Sequence, residues 1–334
     1  MSSTEDKILK HLKNGPSKPG ILAEVLGLSR QALHKNLKIL LQKKQITKSG
    51  STPHIVYQLT LNNSSSRVKR DYTICLEKIL PAYKNIFSQS QSLANHLHAY
   101  TTKKNKIYVD FGFMLDSSAV YSSNIEGNSL NLNSFLNNKS LPKKHRPREV
   151  QEIEDLVEAY RLSQKKPFTE KNMLQAHAIF SQQFLQKARQ GVYRKEPVGV
   201  FSRNGLEYMA VEPQFVEAEM QELFKLIKNL LKEDHAPIEV IFLASWIHLM
   251  IALIHPFSDG NGRAARLCEK WFITKKLGPE FYALQSEELY FKKRPQYYNS
   301  LKLGLNYWEA DMNKSLKFFK LLPKAIANMI ITTS

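Results

Sequence analysis

The sequence predicts a mainly α protein in two parts: a small helical domain closed by a β-wing, then a larger, nearly all-helical domain with one short β-hairpin. Three observations carry this. Apolar residues recur at helical spacing over most of the chain, as in Leu33, Leu37, Leu40 and Leu41. Strand-like alternation is confined to residues 55–59 and 198–211. A polar run from Asn62 to Arg70 reads as a linker. At 334 residues the chain exceeds one ordinary domain. Boundaries at 1–62, a linker at 63–70 and a second domain at 71–334 follow from these shifts.

Within the first domain, a helix over about Thr4 to Lys13 stops at Asn14-Gly15-Pro16. A second, about Pro19 to Leu26, places Ile21, Leu22, Val25 and Leu26 on one face. After the Gly27-Leu28 turn, Ser29 is placed to cap a third helix by accepting from its free amides. The opposite face of that helix carries Arg30, Gln31, His34, Lys35 and Lys38. Ile46-Thr47, a turn through Lys48 to Pro53 and the strand Ile55 to Leu59 complete a pattern that resembles a winged helix-turn-helix. Those five residues are the DNA-contact candidates. Two alternatives stay open: winged helices also dock proteins, and a Lys-rich face also serves as a solvated one.

Charge points the same way. The formal net charge is +18, and residues 1–70 hold thirteen Lys and Arg against three Asp and Glu, so more than half of the excess lies there. A focused basic module suits nucleic acid, with solvated lysines as the plain alternative. Two distant cysteines, Cys75 and Cys268, argue against a disulfide framework or a zinc site and suit a reducing, cytoplasmic setting. The N-terminal residues lack a basic flank followed by an apolar run, so no signal peptide is expected. The apolar stretch Val240 to Ile254, interrupted by His248, is too short for a bilayer and reads as a buried helix, so no membrane partner is expected. A homodimer stays open as an expectation, with no motif behind it.

The segment His255-Pro256-Phe257-Ser258-Asp259-Gly260-Asn261-Gly262-Arg263-Ala264-Ala265-Arg266 follows that helix and opens another through about Leu277. Gly260 and Gly262 let the backbone turn and approach a ligand. Free amides at the start of the next helix form an anion site. Arg263 and Arg266, three apart, share a helix face and can grip phosphate oxygens. Asp259 offers a hard oxygen ligand for Mg²⁺. His255 is suited to accept a proton near neutral pH. Together these residues fit phosphoryl or nucleotidyl transfer.

The segment also resembles the signature of the Fic (Fido) family, His-Pro-Phe-x-(Asp/Glu)-Gly-Asn-Gly-Arg-x-x-Arg, at every specified position. The similarity spans about residues 70–334 and includes Gly191-Val192-Tyr193-Arg194. The resemblance implies an all-helical Fic domain with a β-hairpin flap, working as a protein adenylyltransferase. His255 would deprotonate a Tyr, Thr or Ser hydroxyl of a target protein, which attacks the α-phosphate of ATP. Phe257 would anchor the loop, Asp259 would hold Mg²⁺, and Gly260, Asn261 and Gly262 would line the anion hole. Arg263 and Arg266 would hold the β- and γ-phosphates. The hairpin would align the target by strand pairing, with nucleotide contacts around Val198, Gly199, Val200 and Phe201. Tyr290 and Asn299 are adenosine candidates, with helix packing as their alternative role. A phosphorylating subgroup has Lys where this chain has Gly262, which favours AMP transfer.

Ser122 to Gly127 matches the family's inhibitory motif, (Ser/Thr)-x-x-x-Glu-(Gly/Asn), near residues 117–127. Ser122 and Glu126 share a helix face, and Gly127 is a helix stop. By resemblance, Glu126 would pair with Arg266 and compete with the γ-phosphate. Two other functions stay open: a DNA-binding transcriptional regulator whose Fic-like domain senses nucleotide, and an enzyme that removes AMP.

Overall fold

The computed structural model describes residues 3–12, 17–43, 45–49, 55–59, 71–88, 110–202 and 205–331. Two units divide it: Met1–Arg70 with Pro197–Val211 and Gly304–Ala310, and Asp71–Glu196 with Glu212–Leu303 and Asp311–Ser334. Four sequence expectations lie outside the described residues: the stop at Asn14-Gly15-Pro16, the turn through Ser51 to Pro53, the linker at 63–70 and the hairpin tip at Arg203-Asn204.

In the first unit, α1 (Thr4–Leu12), α2 (Pro19–Leu26) and α3 (Arg30–Gln42) precede β1 (Ile46–Ser49) and β2 (Val56–Leu59). The two strands pair antiparallel, Ile46 opposite Leu59. Gly27 ends α2 in the left-handed region at φ +61°, where a side chain is strained. Ser29 Oγ accepts from Ala32 N–H at 3.2 Å and starts α3. Ile8, Leu12, Leu22, Leu33, Leu37, Leu40, Ile46 and Tyr57 close the core. That leaves Arg30, Gln31, His34, Lys35 and Lys38 exposed on one face of α3. Ile21 and Val25, expected on the apolar face of α2, are exposed instead, and only Leu22 of that helix is fully buried.

The hairpin, β3 (Gly199–Ser202) with β4 (Gly205–Met209), falls in this first unit rather than with the residues flanking it in sequence. Its ladder is irregular between Val200 and Phe201. At the end of β4, Met209 N–H donates to Leu305 O at 2.8 Å and Tyr307 N–H to Met209 O at 3.1 Å. Lys18 Nζ sits 5.9 Å from the Phe201 ring centroid.

The second unit is helical: α4 (Tyr72–Ser88), α5 (Phe111–Ile125), α6 (Leu132–Lys139), α7 (Arg148–Lys165), α8 (Glu170–Phe180), α9 (Pro213–Leu230), α10 (Pro237–Ile254), α11 (Asn261–Leu277), α12 (Ser286–Lys292), α13 (Arg294–Ser300), α14 (Leu316–Phe319) and α15 (Leu321–Ile331). Its centre is α10, apolar on every side and therefore buried on every side. This helix is longer than its apolar stretch suggests: it starts at Pro237, where Glu239 Oε2 accepts from Ala236 N–H, and runs 18 residues. That length and composition would suffice to cross a membrane, but 78% of it is buried in the domain, as in a core helix. It packs chiefly on α11.

The helix α5 is unusual in burying polar residues, among them Asp116, Ser117, Ser118, Ser122 and Ser123. Buried hydroxyls and carboxylates need partners. Asp116 pairs with Lys139 of α6 at 2.6 Å, and Ser118 Oγ accepts from Lys270 of α11 at 2.5 Å. The Lys270 contact holds the middle of α5 beside α11.

Candidate active site

The loop between α10 and α11 is stitched to itself. Asn261 is 3% exposed; its Oδ1 accepts from Phe257 N–H at 2.8 Å, and its Nδ2 donates to Phe257 O at 2.9 Å. The Asn261 side chain therefore shapes the turn rather than facing a ligand. Gly260 caps α11 at φ +84°, and a Cβ there would meet Phe180 at 2.9 Å. His255 ends α10 at φ +54°, the one non-glycine residue in the left-handed region among the described residues. Such backbone is costly and persists where surrounding contacts impose it. Arg194 imposes it: Nε donates to His255 O at 2.7 Å and Nη2 to Ile254 O at 3.2 Å, while Arg194 N–H reaches Pro256 O at 3.0 Å.

Two further residues brace the loop. The His177 ring stacks on Phe257 with centroids 3.6 Å apart. Gly191 N–H donates to His177 Nδ1 at 2.9 Å, so Nε2 carries the proton and donates to Asp259 O at 3.0 Å. Burial lowers the His177 pKa to about 4, so the ring is neutral. Ser258 Oγ donates to Glu196 Oε1 at 2.6 Å, and that bond leads the effects holding Glu196 below the usual carboxylate range.

His255 Nδ1 lies 3.2 Å from Ala252 O. A carbonyl only accepts, so Nδ1 carries a proton and Nε2 is left basic. Burial pushes the His255 pKa down, which keeps the imidazole neutral and able to take a proton.

Glu126 caps the C-terminal end of α5, and Gly127 follows at φ +103°. Its Oε1 accepts from Arg266 Nη2 at 2.7 Å. Arg266 is fully buried and also donates from Nε to Ser122 Oγ (2.9 Å), from Nη2 to Ser122 O (3.0 Å) and from Nη1 to Tyr297 Oη (3.3 Å). Burial would lower the Arg266 pKa, but Glu126 and Tyr297 outweigh it and hold the guanidinium charged. Burial would likewise raise Glu126, and Arg266, then Arg263 and His255, bring it below its ordinary value. A Cβ at Gly262 would lie 2.2 Å from Glu126 Oε1. The carboxylate thus rests over the first turn of α11, whose amides lack intrahelical partners, and occupies the place of an anion.

Beside Glu126 opens a cleft of about 400 Å³, lined by Asp259, Arg263, Phe184, Arg148 and Glu152 among others. The Arg263 guanidinium lies over the Phe184 ring at 4.4 Å and 3.6 Å from Glu152 Oε2. Its Nε is buried and has no hydrogen-bond partner among the described residues, an unmet donor at the cleft wall. Asp259 is exposed, and its Oδ1 accepts from Gly260 N–H at 2.6 Å. Among the described residues no three His, Cys, Asp or Glu converge as a metal cage. The exposed Asp259 carboxylate at this cleft is the kind of hard oxygen donor Mg²⁺ takes, since that ion is usually held by one or two carboxylates plus phosphates and water.

Residues 167–273 match the family model described as the Fic/DOC family. Residues 167–273 form a Fic/DOC family domain. Among solved structures the chain resembles a Fic family protein from Desulfovibrio desulfuricans G20 at 21% identity (TM-score 0.58; 79% of this chain, 76% of that one). A Fic domain containing signaling protein from Bacteroides thetaiotaomicron VPI-5482 is 19% identical (TM-score 0.56; 73% and 95%). Fic-1 from C. elegans is 18% identical (TM-score 0.52; 80% and 79%). These likenesses establish the fold. No curated protein matches by sequence. Fic domains as a family belong to enzymes that modify proteins with nucleoside monophosphates.

The structure brings His255 and Asp259 to Arg266 of this domain together with Ser122 and Glu126, which precede the matched residues. Of its two open roles Tyr290 has the packing one in this structure: it is 1% exposed, and its hydroxyl donates to Glu269 Oε2 at 2.9 Å inside the core. Asn299 is exposed on α13 and does not line the cleft. Val198, Gly199, Val200 and Phe201 belong to the first unit, with Val200 and Phe201 exposed. His177, Glu152, Glu196 and Tyr297 were not singled out from the sequence; only their contacts across the fold mark them.

Proposed function

We propose that this Fic domain is a protein adenylyltransferase that moves AMP from ATP to a Tyr, Thr or Ser hydroxyl of a target protein, restrained by Glu126. The observation that carries the proposal is the Glu126–Arg266 ion pair at 2.7 Å, seated over the first turn of α11 where phosphate would bind. In the reaction, His255 Nε2 takes the target hydroxyl's proton, and the oxygen forms a bond to the α-phosphorus. The bond from that phosphorus to the β-phosphate oxygen breaks, and pyrophosphate leaves. The first-turn amides of α11 with Arg263 and Arg266 neutralise the phosphates. Asp259 would hold Mg²⁺, which offsets phosphate charge when bound. Glu126 competes for Arg266 and keeps the triphosphate from its reactive pose.

The test is labelling from ATP carrying the label on the α-phosphate. Glu126→Gly raises incorporation into protein over the unsubstituted chain, and His255→Ala in that background abolishes it. Equal labelling of the unsubstituted chain and Glu126→Gly contradicts the brake. Undiminished labelling after His255→Ala contradicts the base. AMP removal is the reverse outcome, read as loss of label from a pre-modified target.

A second role is supported by the exposed set Arg30, Gln31, His34, Lys35 and Lys38 on α3. It is winged-helix binding of DNA, which would place or regulate the enzyme. A gel-shift series in rising salt tests it, because phosphate contacts make affinity fall steeply with salt.

A further inference from the structure

Arg266 makes four hydrogen bonds among the described residues, and three of them come from the end of α5: Ser122 Oγ, Ser122 O and Glu126. Only the bond from Nη1 to Tyr297 Oη is independent of that helix. If Glu126 gives way to a phosphate, Tyr297 is the anchor that lies outside the inhibitory helix. Holding a long, rotamer-rich side chain still costs entropy, so this anchor matters most once the Glu126 bond is lost.

Tyr297 is itself fixed from behind. Its hydroxyl lies 2.9 Å from His248 Nε2, and His248 Nδ1 lies 2.8 Å from Glu269 Oε2. Tyr290 donates to the same carboxylate oxygen at 2.9 Å. A guanidinium only donates, so the Tyr297 oxygen accepts from Arg266 and its own proton goes to His248 Nε2. His248 Nδ1–H then donates to Glu269. Burial raises the Tyr297 pKa, so the hydroxyl keeps the proton this chain of bonds needs. His248, Glu269, Tyr290 and Tyr297 are all at most 1% exposed. Buried polar networks are costly when partly satisfied, and this one, in the core, ends on the arginine of the anion site.

We infer that Tyr297, backed by His248 and Glu269, is a positioning residue that aims the Arg266 guanidinium at the terminal phosphate of a nucleoside triphosphate. The inference rests on Arg266 being a phosphate ligand, as proposed above. Tyr297→Phe keeps the ring and removes the oxygen. A hydrogen bond to a charged group contributes enough that its loss weakens triphosphate binding about tenfold.

The experiment is calorimetric titration of ATP and of AMP, each with Mg²⁺, into Glu126→Gly and into the double variant that adds Tyr297→Phe. The expected result is an ATP affinity about tenfold weaker with AMP affinity unchanged, since AMP has no phosphate for Arg266. His248→Gln in the Glu126→Gly background is the second variant, used alone if Tyr297→Phe does not fold. It keeps the Tyr297 hydroxyl but alters its support, and it should weaken ATP severalfold with AMP again unchanged. ATP and AMP weakened alike, or neither weakened, overturns the positioning role and leaves the adenylyltransferase proposal standing. Glu126→Gly that binds neither nucleotide overturns both.

Discussion

Replacing Glu126 with Gln separates its charge from its shape. Gln keeps the length and hydrogen-bonding capacity of the side chain, but Arg266 loses its charged partner at 2.7 Å. Splitting a wholly buried pair costs about 3–5 kcal/mol. The Glu126 side chain is 30% exposed, however, and Arg266 keeps its bonds to Ser122 and Tyr297. Water and these partners absorb part of the loss, which leaves about 2 kcal/mol, the scale of one charge-assisted hydrogen bond. For a domain of this size that lowers Tm by about 6 °C. ATP should reverse the sign. With the competing carboxylate gone, the triphosphate supplies the missing negative charge, and ligand at a hundredfold over Kd adds about 2.7 kcal/mol. Thermal melts with and without ATP and Mg²⁺ should therefore show Glu126→Gln below the unsubstituted chain when free, and raised by the larger increment when bound. Equal melting of the free proteins together with equal ATP-induced shifts would refute competition between Glu126 and phosphate.

Asn261→Ala removes both bonds that close the loop on Phe257 and should cost about 2–3 kcal/mol, read as a lower urea midpoint, with labelling lost in the Glu126→Gly background. His177 gives an acid-side prediction. Its pKa of about 4 in the folded chain lies below the ordinary 6.5, so between those values only the unfolded chain binds the proton. Stability is full above pH 6.5 and falls by about 3 kcal/mol as pH drops to 4, an effect that His177→Gln should remove from urea midpoints measured across that range. Gly191→Ala should destabilise by more than about 2 kcal/mol in the same assay, because φ is +70° and the new Cβ would lie 2.7 Å from Leu174 O. On α3, Lys35→Gln with Lys38→Gln should weaken DNA binding and lower its salt slope by about 2, with little dependence on DNA sequence.

What could be read in advance was what lies close along the chain. The residues from His255 to Arg266 carry their chemistry in consecutive positions, so spacing alone suggests an anion site. Helix ends marked by Ser29, Gly127 and Pro256 are equally local. The Glu126–Arg266 pair spans 140 positions and was reached only through a motif. His177 carries no such flag: a histidine in α8 looks like any polar residue until the fold stacks it on Phe257. Tyr297, His248 and Glu269 meet from three helices, and no periodicity announces a buried relay. Buried polarity also misled. Tyr290 resembled a binding aromatic, but its hydroxyl was answering a core carboxylate. The apolar stretch of α10 understated the helix because its first turn is set by Pro237 and Glu239, not by apolar residues.

AMP transfer is proposed for the loop between α10 and α11. Its most direct measurement is mass spectrometry of Glu126→Gly incubated with ATP, Mg²⁺ and a cell lysate, beside the same protein carrying His255→Ala. Protein hydroxyls bearing one AMP group are expected with His255 and none without it. Adducts of phosphate alone, or AMP adducts that persist after His255→Ala, would contradict the proposal.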